Sequence, residues 1–213
     1  MSMAVLDWPE GAFRVTADDL HLEGQTLSSG GIFGPGTLIH FENRVWVLNV
    51  PLGYLERPQW RAVRALFDEA RGQYGRIRVP VFTHGISAVV QPVTFDGGVT
   101  FDGGVTFVGA DFANAVALDA APAGATRIRM GDIAFSVQPA QPFSIGDRLY
   151  RVQRTEGDVA VINPPLREAV SQNAPLNFTA PRALMRFASD SSALTLRPFD
   201  LSEPATFRMV EVL

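Results

Sequence analysis

Cysteine and lysine are both absent from this chain of 213 residues. Without cysteine the chain can form no disulfide, thiolate zinc site or thiol nucleophile, so its fold depends on burial, hydrogen bonds and contacts between subunits. All 18 basic residues are arginine, and the lack of lysine excludes a Walker-type phosphate loop and a Schiff-base lysine. Several classes of enzyme are thereby excluded.

Charge is also sparse, since 19% of the residues are charged and the formal net charge is -4. Proteins that bind nucleic acid concentrate basic residues to neutralise phosphates, so we expect no direct nucleic-acid contact. The segment Met1 to Gly11 lacks the basic run and apolar core of a signal peptide, and no apolar stretch approaches membrane-spanning length. The sequence predicts a soluble protein that is made in the cytoplasm without membrane insertion.

Apolar residues, by contrast, are plentiful. They make up 46% of the chain, including 15 phenylalanines, and the mean hydropathy is +0.10. This composition is typical of a packed globular protein and indicates extensive buried surface, part of it against other subunits.

The first part of the chain shows the two-residue period of β-strands. Leu20 and Leu22 alternate with polar residues, and two apolar runs, Thr37–Phe41 and Val45–Val50, flank a short polar triplet. We expect a strand, a glycine-rich loop and then a hairpin formed by these two runs.

The period changes after Pro58. Apolar residues then recur at helical spacing, at Trp60, Val63, Phe67 and Ala70. Proline suits the first turn of a helix and glycine its C-terminal cap, so we predict a helix over about 58–71 that ends at Gly72. A strand follows, in which Arg76 and Arg78 alternate with apolar residues and point outward.

A short tandem repeat separates this part from the next. Val93–Gly98 is repeated as Val99–Gly104. Asp96 and Asp102 each precede two glycines, which favours a turn over a calcium site or a glycosidase carboxylate pair. Two copies are too few for a solenoid, so we expect a loop or a small ribbon.

Short strands with turns between them fill residues 110–180, and longer apolar runs resume from Pro181. We therefore predict a mainly β (α+β) protein of two domains. Residues 1–109 with 181–213 form a β-sandwich with one helix, and residues 110–180 form a small, inserted, barrel-like β-domain.

Few residues suggest chemistry. His21, His40 and His84 are far apart and form no metal-ligand motif, Ser87, Ser136 and Ser144 lack a hydrolase signature, and we expect no metal, cofactor or catalytic residue. The glycine-rich segment Ser28–Gly36 leads into a strand, which argues against a nucleotide cradle.

We interpret that segment as the tip of a hairpin or as an arm that orders against a neighbouring subunit. Ile32 and Phe33 would be its apolar anchors. Arg76 and Arg78 complete the expected subunit interface, because arginine can form charge-assisted hydrogen bonds to acidic neighbours.

The order of these parts resembles tail proteins of siphophages and of related gene transfer agents, most closely the distal tail protein. The resemblance spans most of the chain and rests on arrangement and short phrases. These are Pro58-Gln-Trp60, the Phe95 and Phe101 repeats, Ile145-Gly-Asp-Arg-Leu-Tyr-Arg-Val152 and Asn163-Pro-Pro-Leu-Arg167. The resemblance implies a non-enzymatic virion protein that forms a homo-hexameric ring at the tail tip, between the tail tube and the hub.

One departure concerns position, since distal tail proteins commonly carry the second domain after the ring domain. A tube-associated or hub-proximal subunit is therefore an alternative. Another is a carbohydrate-binding module or tail-associated receptor-binding protein that stacks sugars on exposed Trp8, Trp46 or Tyr150. A cell-wall hydrolase is disfavoured, because no acid–base or metal constellation is evident.

Overall fold

A computed structural model describes residues 5–9, 19–24, 26–29, 37–40, 44–51, 56–81, 114–131, 137–190 and 206–213. The chain divides into two compact units. Met1–Phe82 together with Ala183–Leu213 form one, and Thr83–Arg182 form the other. We call them the sheet unit and the barrel unit after their main β-structures.

Most of the described chain is β-strand, as predicted. In chain order the elements are β1 (Val5–Asp7), β2 (Asp19–Glu23), β3 (Thr26–Ser29), β4 (Thr37–His40), β5 (Val45–Pro51), helix α1 (Arg57–Ala70), a short 3-10 turn (Gly72–Tyr74), β6 (Arg76–Pro80), β7 (Asn114–Ala117), β8 (Arg127–Gly131), β9 (Pro142–Ile145), β10 (Arg148–Glu156), β11 (Val159–Asn163), β12 (Pro175–Asn177), β13 (Arg182–Phe187) and β14 (Thr206–Glu211).

The sheet unit contains a six-stranded sheet in the order β1-β6-β13-β14-β5-β2. Strands β1 and β6 are parallel, whereas β14 is antiparallel to both β13 and β5, and β5 is antiparallel to β2. The two central strands, β13 and β14, thus come from the C-terminal part of the chain and are flanked by β6 and β5 from its N-terminal part. Strands β3 and β4 form a separate antiparallel pair.

The predicted hairpin between Thr37–Phe41 and Val45–Val50 is wrong. Strand β4 pairs with β3, and β5 is flanked by β14 and β2. The reason lies in β5 itself, where Trp46, Val47 and Leu48 are all buried. A strand that buries both of its faces belongs in the interior of a sheet and needs two partners, which a local turn pattern cannot identify.

Helix α1 begins one residue before the predicted range and ends one residue before its end. At its start, the main-chain N–H of Glu56 donates to Oε1 of Gln59 at 2.9 Å, one half of a capping box. Pro58 lies in the first turn. At its end, Arg71 and Gly72 both adopt left-handed backbone angles, with φ values of 52° and 65°.

Gly72 is required there for a second reason. A Cβ atom at this position would lie 2.7 Å from Oδ1 of Asp190, which also accepts a hydrogen bond from the N–H of Gln73 at 2.8 Å. The side chain of Gln73 donates to the carbonyl of Ala188, also at 2.8 Å. The end of the helix is therefore fastened to the residues that follow β13.

The core of the sheet unit lies between one face of the sheet and the helix. Its buried residues include Trp46, Leu48, Val50, Met185, Phe187, Phe207 and Met209 from the strands and Val63, Leu66 and Ala70 from α1. The ring of Phe67 on the helix lies 4.9 Å from that of Phe187, which in turn lies 5.7 Å from Phe207. Phenylalanine contacts thus join helix and sheet.

Six strands close the barrel unit into a β-barrel, in the order β10-β11-β8-β7-β12-β9. Its first described strand, β7, pairs with its last, β12. The aromatic centre consists of Phe143, whose ring stacks on Phe178 at 4.9 Å and lies 5.7 Å from Tyr150. The hydroxyl of Tyr150 accepts a hydrogen bond from the N–H of Arg167.

Alternation in sequence sets the inner and outer faces of the barrel. In β8, Ile128 and Met130 are buried, whereas Arg127 and Arg129 are exposed, which matches the period-two pattern. Two hairpins follow one another in the barrel. Strand β9 is joined to β10 through Gly146, whose φ is 58°, and β10 is joined to β11 through Gly157, whose φ is 66°.

The barrel unit begins earlier than the predicted insertion. The prediction was 110–180, and the unit is Thr83–Arg182, with its first described strand at Asn114. The tandem repeat Val93–Gly104 lies outside the described residues.

Candidate assembly surfaces

The predicted apolar anchors Ile32 and Phe33 lie outside the described residues. The strands on either side of their segment are described, however. Strands β3 and β4 are antiparallel, with Ser29 opposite Thr37. The glycine-rich segment therefore connects the two strands of a hairpin that forms its own sheet.

Arg76 and Arg78 lie on the face of the sheet away from the helix. The parallel pairing of β1 with β6 places Val5 opposite Arg76 and Asp7 opposite Arg78. Nη1 of Arg78 lies 2.7 Å from Oδ1 of Asp7, so the charge of Arg78 is paired within the chain. Arg76 is exposed beside Val5.

At the other side of this outer face, Asp19 is held by two neighbours. Nδ2 of Asn49 donates to Asp19 at 2.9 Å, and Nδ1 of His21 lies 3.0 Å from the same carboxylate. The hydrogen bond from Asn49, followed by the influence of His21, lowers the pKa of Asp19 below its ordinary value of 3.8. His21 therefore has a local structural partner.

An ion pair that spans three strands lies on the same face. Nη2 of Arg208 on β14 lies 2.6 Å from Oε2 of Glu23 on β2, although β5 lies between these strands. The register sets Arg208 opposite Asn49 and Glu23 opposite Val45, so the pair passes over Val47. This explains why Val47 is fully buried on the outer face. Three strands are bridged by one arginine.

Arginines on the barrel are paired in the same way. Arg129 donates to Asp158, with Nη2 at 2.7 Å, and also to Asp119, with Nη1 at 2.9 Å. Arg127 and Arg154 both contact Glu156, at 2.8 and 2.9 Å. We call these six residues the barrel ion network.

The network shifts the titration of its members. The hydrogen bond from Arg129 lowers the pKa of Asp158, and the hydrogen bond from Arg154 lowers that of Glu156. Both carboxylates thus stay charged to lower pH than they would alone.

The aromatic residues considered for sugar stacking are not available for it. Trp8, Trp46 and Tyr150 are all buried, with Trp46 in the sheet core and Tyr150 in the barrel core. Tyr74, directly after α1, is the large aromatic side chain that is exposed within the described residues, at 68%. A platform built from the three expected residues is therefore excluded.

Positions considered for chemistry are dispersed or buried. His40 belongs to β4, while His84, Asp96, Asp102, Ser87 and Ser136 lie outside the described residues. Ser144 lies in β9 and is fully buried. Among the residues that the structure describes, no group of three or more histidines and carboxylates is arranged to hold a metal ion.

In the described part of the chain, no helix has both the length and the apolar character needed to cross a bilayer. Comparison with known proteins adds no relative. No protein-family model matches this chain, and no curated protein matches it.

Proposed function

We propose that this chain is a non-enzymatic virion protein that forms a homo-oligomeric ring, most simply a hexamer, at the tail tip of a long-tailed phage. In this role it resembles a distal tail protein and joins the tail tube to the hub. The observation that carries the proposal is the contrast between a closed barrel and an open sheet within one chain.

An open sheet favours self-association. Its outermost strands carry main-chain donors and acceptors that another chain can pair with, unless they are covered or blunted. The two outermost described strands differ, because β1 is a three-residue strand with the exposed Val5, whereas β2 carries Asp19, His21 and Glu23. Two unlike edges suit a head-to-tail contact, which closes into a ring when the rotation allows.

The order of parts supports the position in the tail. A helix-bearing sheet, a glycine- and aspartate-rich connector and a small barrel follow one another as in a tail-tip ring protein, except that β13 and β14 return to the sheet after the barrel. By this fold analogy the sheet unit builds the ring and the barrel unit is peripheral. The proposed partners are further copies of the chain, the tail tube and the hub.

Electron microscopy tests the proposal. We expect class averages of the purified chain, or of the particle that contains it, to show rings with cyclic symmetry, most simply six-fold. Replacing Ile32 and Phe33 by serine should weaken the rings without unfolding the monomer. Leu213→Ser is the control, since Leu213 is an exposed apolar residue of the described chain. A well-ordered monomer in an assembled particle, without symmetric neighbours, would refute the proposal.

The non-enzymatic part of the proposal has its own test. We expect no turnover in hydrolase and transferase assays and no binding in nucleotide-binding assays. A reproducible turnover that disappears when one carboxylate is replaced would contradict this part while leaving ring formation open to the microscopy.

A further inference from the structure

The solvent-facing side of helix α1 carries a line of arginines. Arg57, Arg61 and Arg64 are spaced by four and three residues, which places these three on one side of the helix, and Arg71 follows as the C-cap residue. All four are exposed, while Val63, Leu66 and Ala70 are buried on the opposite side. We call the four arginines the arginine face.

The arginine face has little compensation from the residues that the structure describes, in contrast to several arginines elsewhere. Arg78, Arg129 and Arg208 each form an ion pair of 2.9 Å or shorter. On the arginine face, by contrast, Arg64 approaches Asp68 only to 4.0 Å, and both side chains are more than 70% exposed. Arg57, Arg61 and Arg71 have no ion pair with any residue that the structure describes.

Part of this arrangement opposes the stability of the helix. A helix favours acidic side chains at its start and basic ones at its end. The cap residues Glu56 and Arg71 follow this preference, but Arg57 in the first turn and Asp68 and Glu69 near the end do not. Arg57 and Arg61 are also like charges four residues apart, which weakens a helix. Folding therefore accounts for Arg71 but not for Arg57 and Arg61.

The rest of the chain has the complementary charge. Residues 56–76 contain five arginines and three carboxylates, whereas the remaining residues contain 13 arginines and 19 carboxylates. Taken together, the rest of the chain therefore has a formal charge of -6, opposite in sign to the +2 of this segment. Nucleic-acid binders concentrate basic residues, whereas the whole chain has a formal net charge of -4, which favours a protein partner over nucleic acid.

We propose that the arginine face binds an acidic surface of a second copy of this chain, as the head of a head-to-tail contact. The inference rests on the ring function proposed above and assigns one side of its subunit interface. Tyr74 is exposed directly after the helix. Tyrosine and arginine are the residues most enriched at the energetic centres of protein interfaces.

The test compares two charge reversals, Arg61→Glu and Arg186→Glu. Both residues are exposed and have no described ion pair, but Arg186 lies on β13, away from the helix. Self-association is measured by sedimentation over a concentration series at low and high salt. We expect the wild-type chain to associate at low salt and to dissociate at high salt, because exposed charge contacts are screened.

We expect Arg61→Glu to weaken association by about tenfold or more, and Arg186→Glu to behave as wild type. Arg61→Glu also turns two like-charge neighbours, Arg57 and Arg64, into attractive ones, so its melting temperature should be unchanged or ~1 °C higher. Weaker association in a chain that is no less stable cannot be attributed to unfolding.

Other outcomes overturn the inference. These are equal association of Arg61→Glu and wild type, equal weakening by both reversals, or a monomeric wild-type chain at every concentration and low salt. Binding of a DNA duplex that Arg61→Glu abolishes would assign the face to nucleic acid. Particle rings that persist in Arg61→Glu would refute only this interface, whereas a particle without symmetric copies of the chain would refute the ring function itself.

Discussion

The barrel unit closes its six strands on themselves, whereas the sheet unit ends in β1 on one side and β2 on the other. In the barrel, strand pairing satisfies the main chain from within, so the unit needs no further chain to complete it. An open sheet, by contrast, leaves main-chain donors and acceptors of its outermost strands available for pairing. The comparison supports the proposal that the chain assembles through its sheet unit.

The charges of the two units repeat this difference. On the barrel, three arginines are compensated by three carboxylates in the barrel ion network. On α1 and directly after it lie four exposed arginines, and the one described ion pair among them joins Arg64 to Asp68 at 4.0 Å. Surface ion pairs contribute little stability individually. The contrast therefore concerns recognition more than stability, because compensated charges are poor attractors for a partner.

The largest expected effect is a loss of unfolding free energy, which one substitution in each unit tests separately. Phe143→Ala removes the ring that stacks on Phe178, and Phe187→Ala removes the ring between Phe67 and Phe207. Each should cost about 3–5 kcal/mol in its own unit, as for other buried phenylalanines.

Tryptophan fluorescence distinguishes the two cases, because Trp8, Trp46 and Trp60 all belong to the sheet unit. In urea, Phe187→Ala should shift the tryptophan transition strongly and Phe143→Ala should leave it in place. If both variants shifted it equally, the two units would unfold as one and the comparison would fail.

A smaller effect is expected at the end of the helix. In Gly72→Ala, the new methyl group would meet Asp190 and the residue would be held at a positive φ, so the sheet unit should lose about 2 kcal/mol. Gly146→Ala is the matched control, since Gly146 has a similar φ but no atom within 4 Å of the added carbon. It should cost about 1 kcal/mol, in the barrel unit. Equal losses would show that the contact with Asp190 adds nothing.

The smallest effect is on the stability of the barrel at low pH and depends on the pKa of Asp158. The lowered pKa of Asp158 stabilises the barrel at pH values above 3.8, the ordinary value, and this contribution disappears as pH falls through the lowered value. Arg129→Gln should return the pKa of Asp158 toward 3.8, as measured by carboxyl NMR titration, and should leave Asp19 in the sheet unit unchanged. An unaltered Asp158 titration would mean that Arg129 is not the cause of the shift.

The sequence predicted the buried faces of helices and strands better than it predicted which strands pair. The apolar period of Trp60, Val63, Phe67 and Ala70 identified the helix and its inner side, since burial repeats with the geometry of the element. The pairing of β5 with β14 was missed, because those strands are far apart in sequence and no local pattern encodes their contact. The ion pair of Arg78 with Asp7 was missed for the same reason.

The arginine face had a visible signal that was not interpreted. Arg61 and Arg64 lie off the apolar stripe of Trp60, Val63 and Phe67 in the sequence, but their significance depends on whether other residues neutralise them. That is a question of tertiary contacts. Spacing alone cannot separate a solvated helix surface from one that awaits a partner.

Because β7 pairs with β12, the barrel could be replaced as a unit. The chain enters and leaves it on adjacent strands, with Asn114 opposite Asn177. The strands that precede and follow the barrel unit in the chain, β6 and β13, are likewise neighbours in the sheet. A linker of about six residues could join them in either orientation. Evolution or an engineer could therefore exchange the barrel for another domain while the strand order of the sheet stays the same.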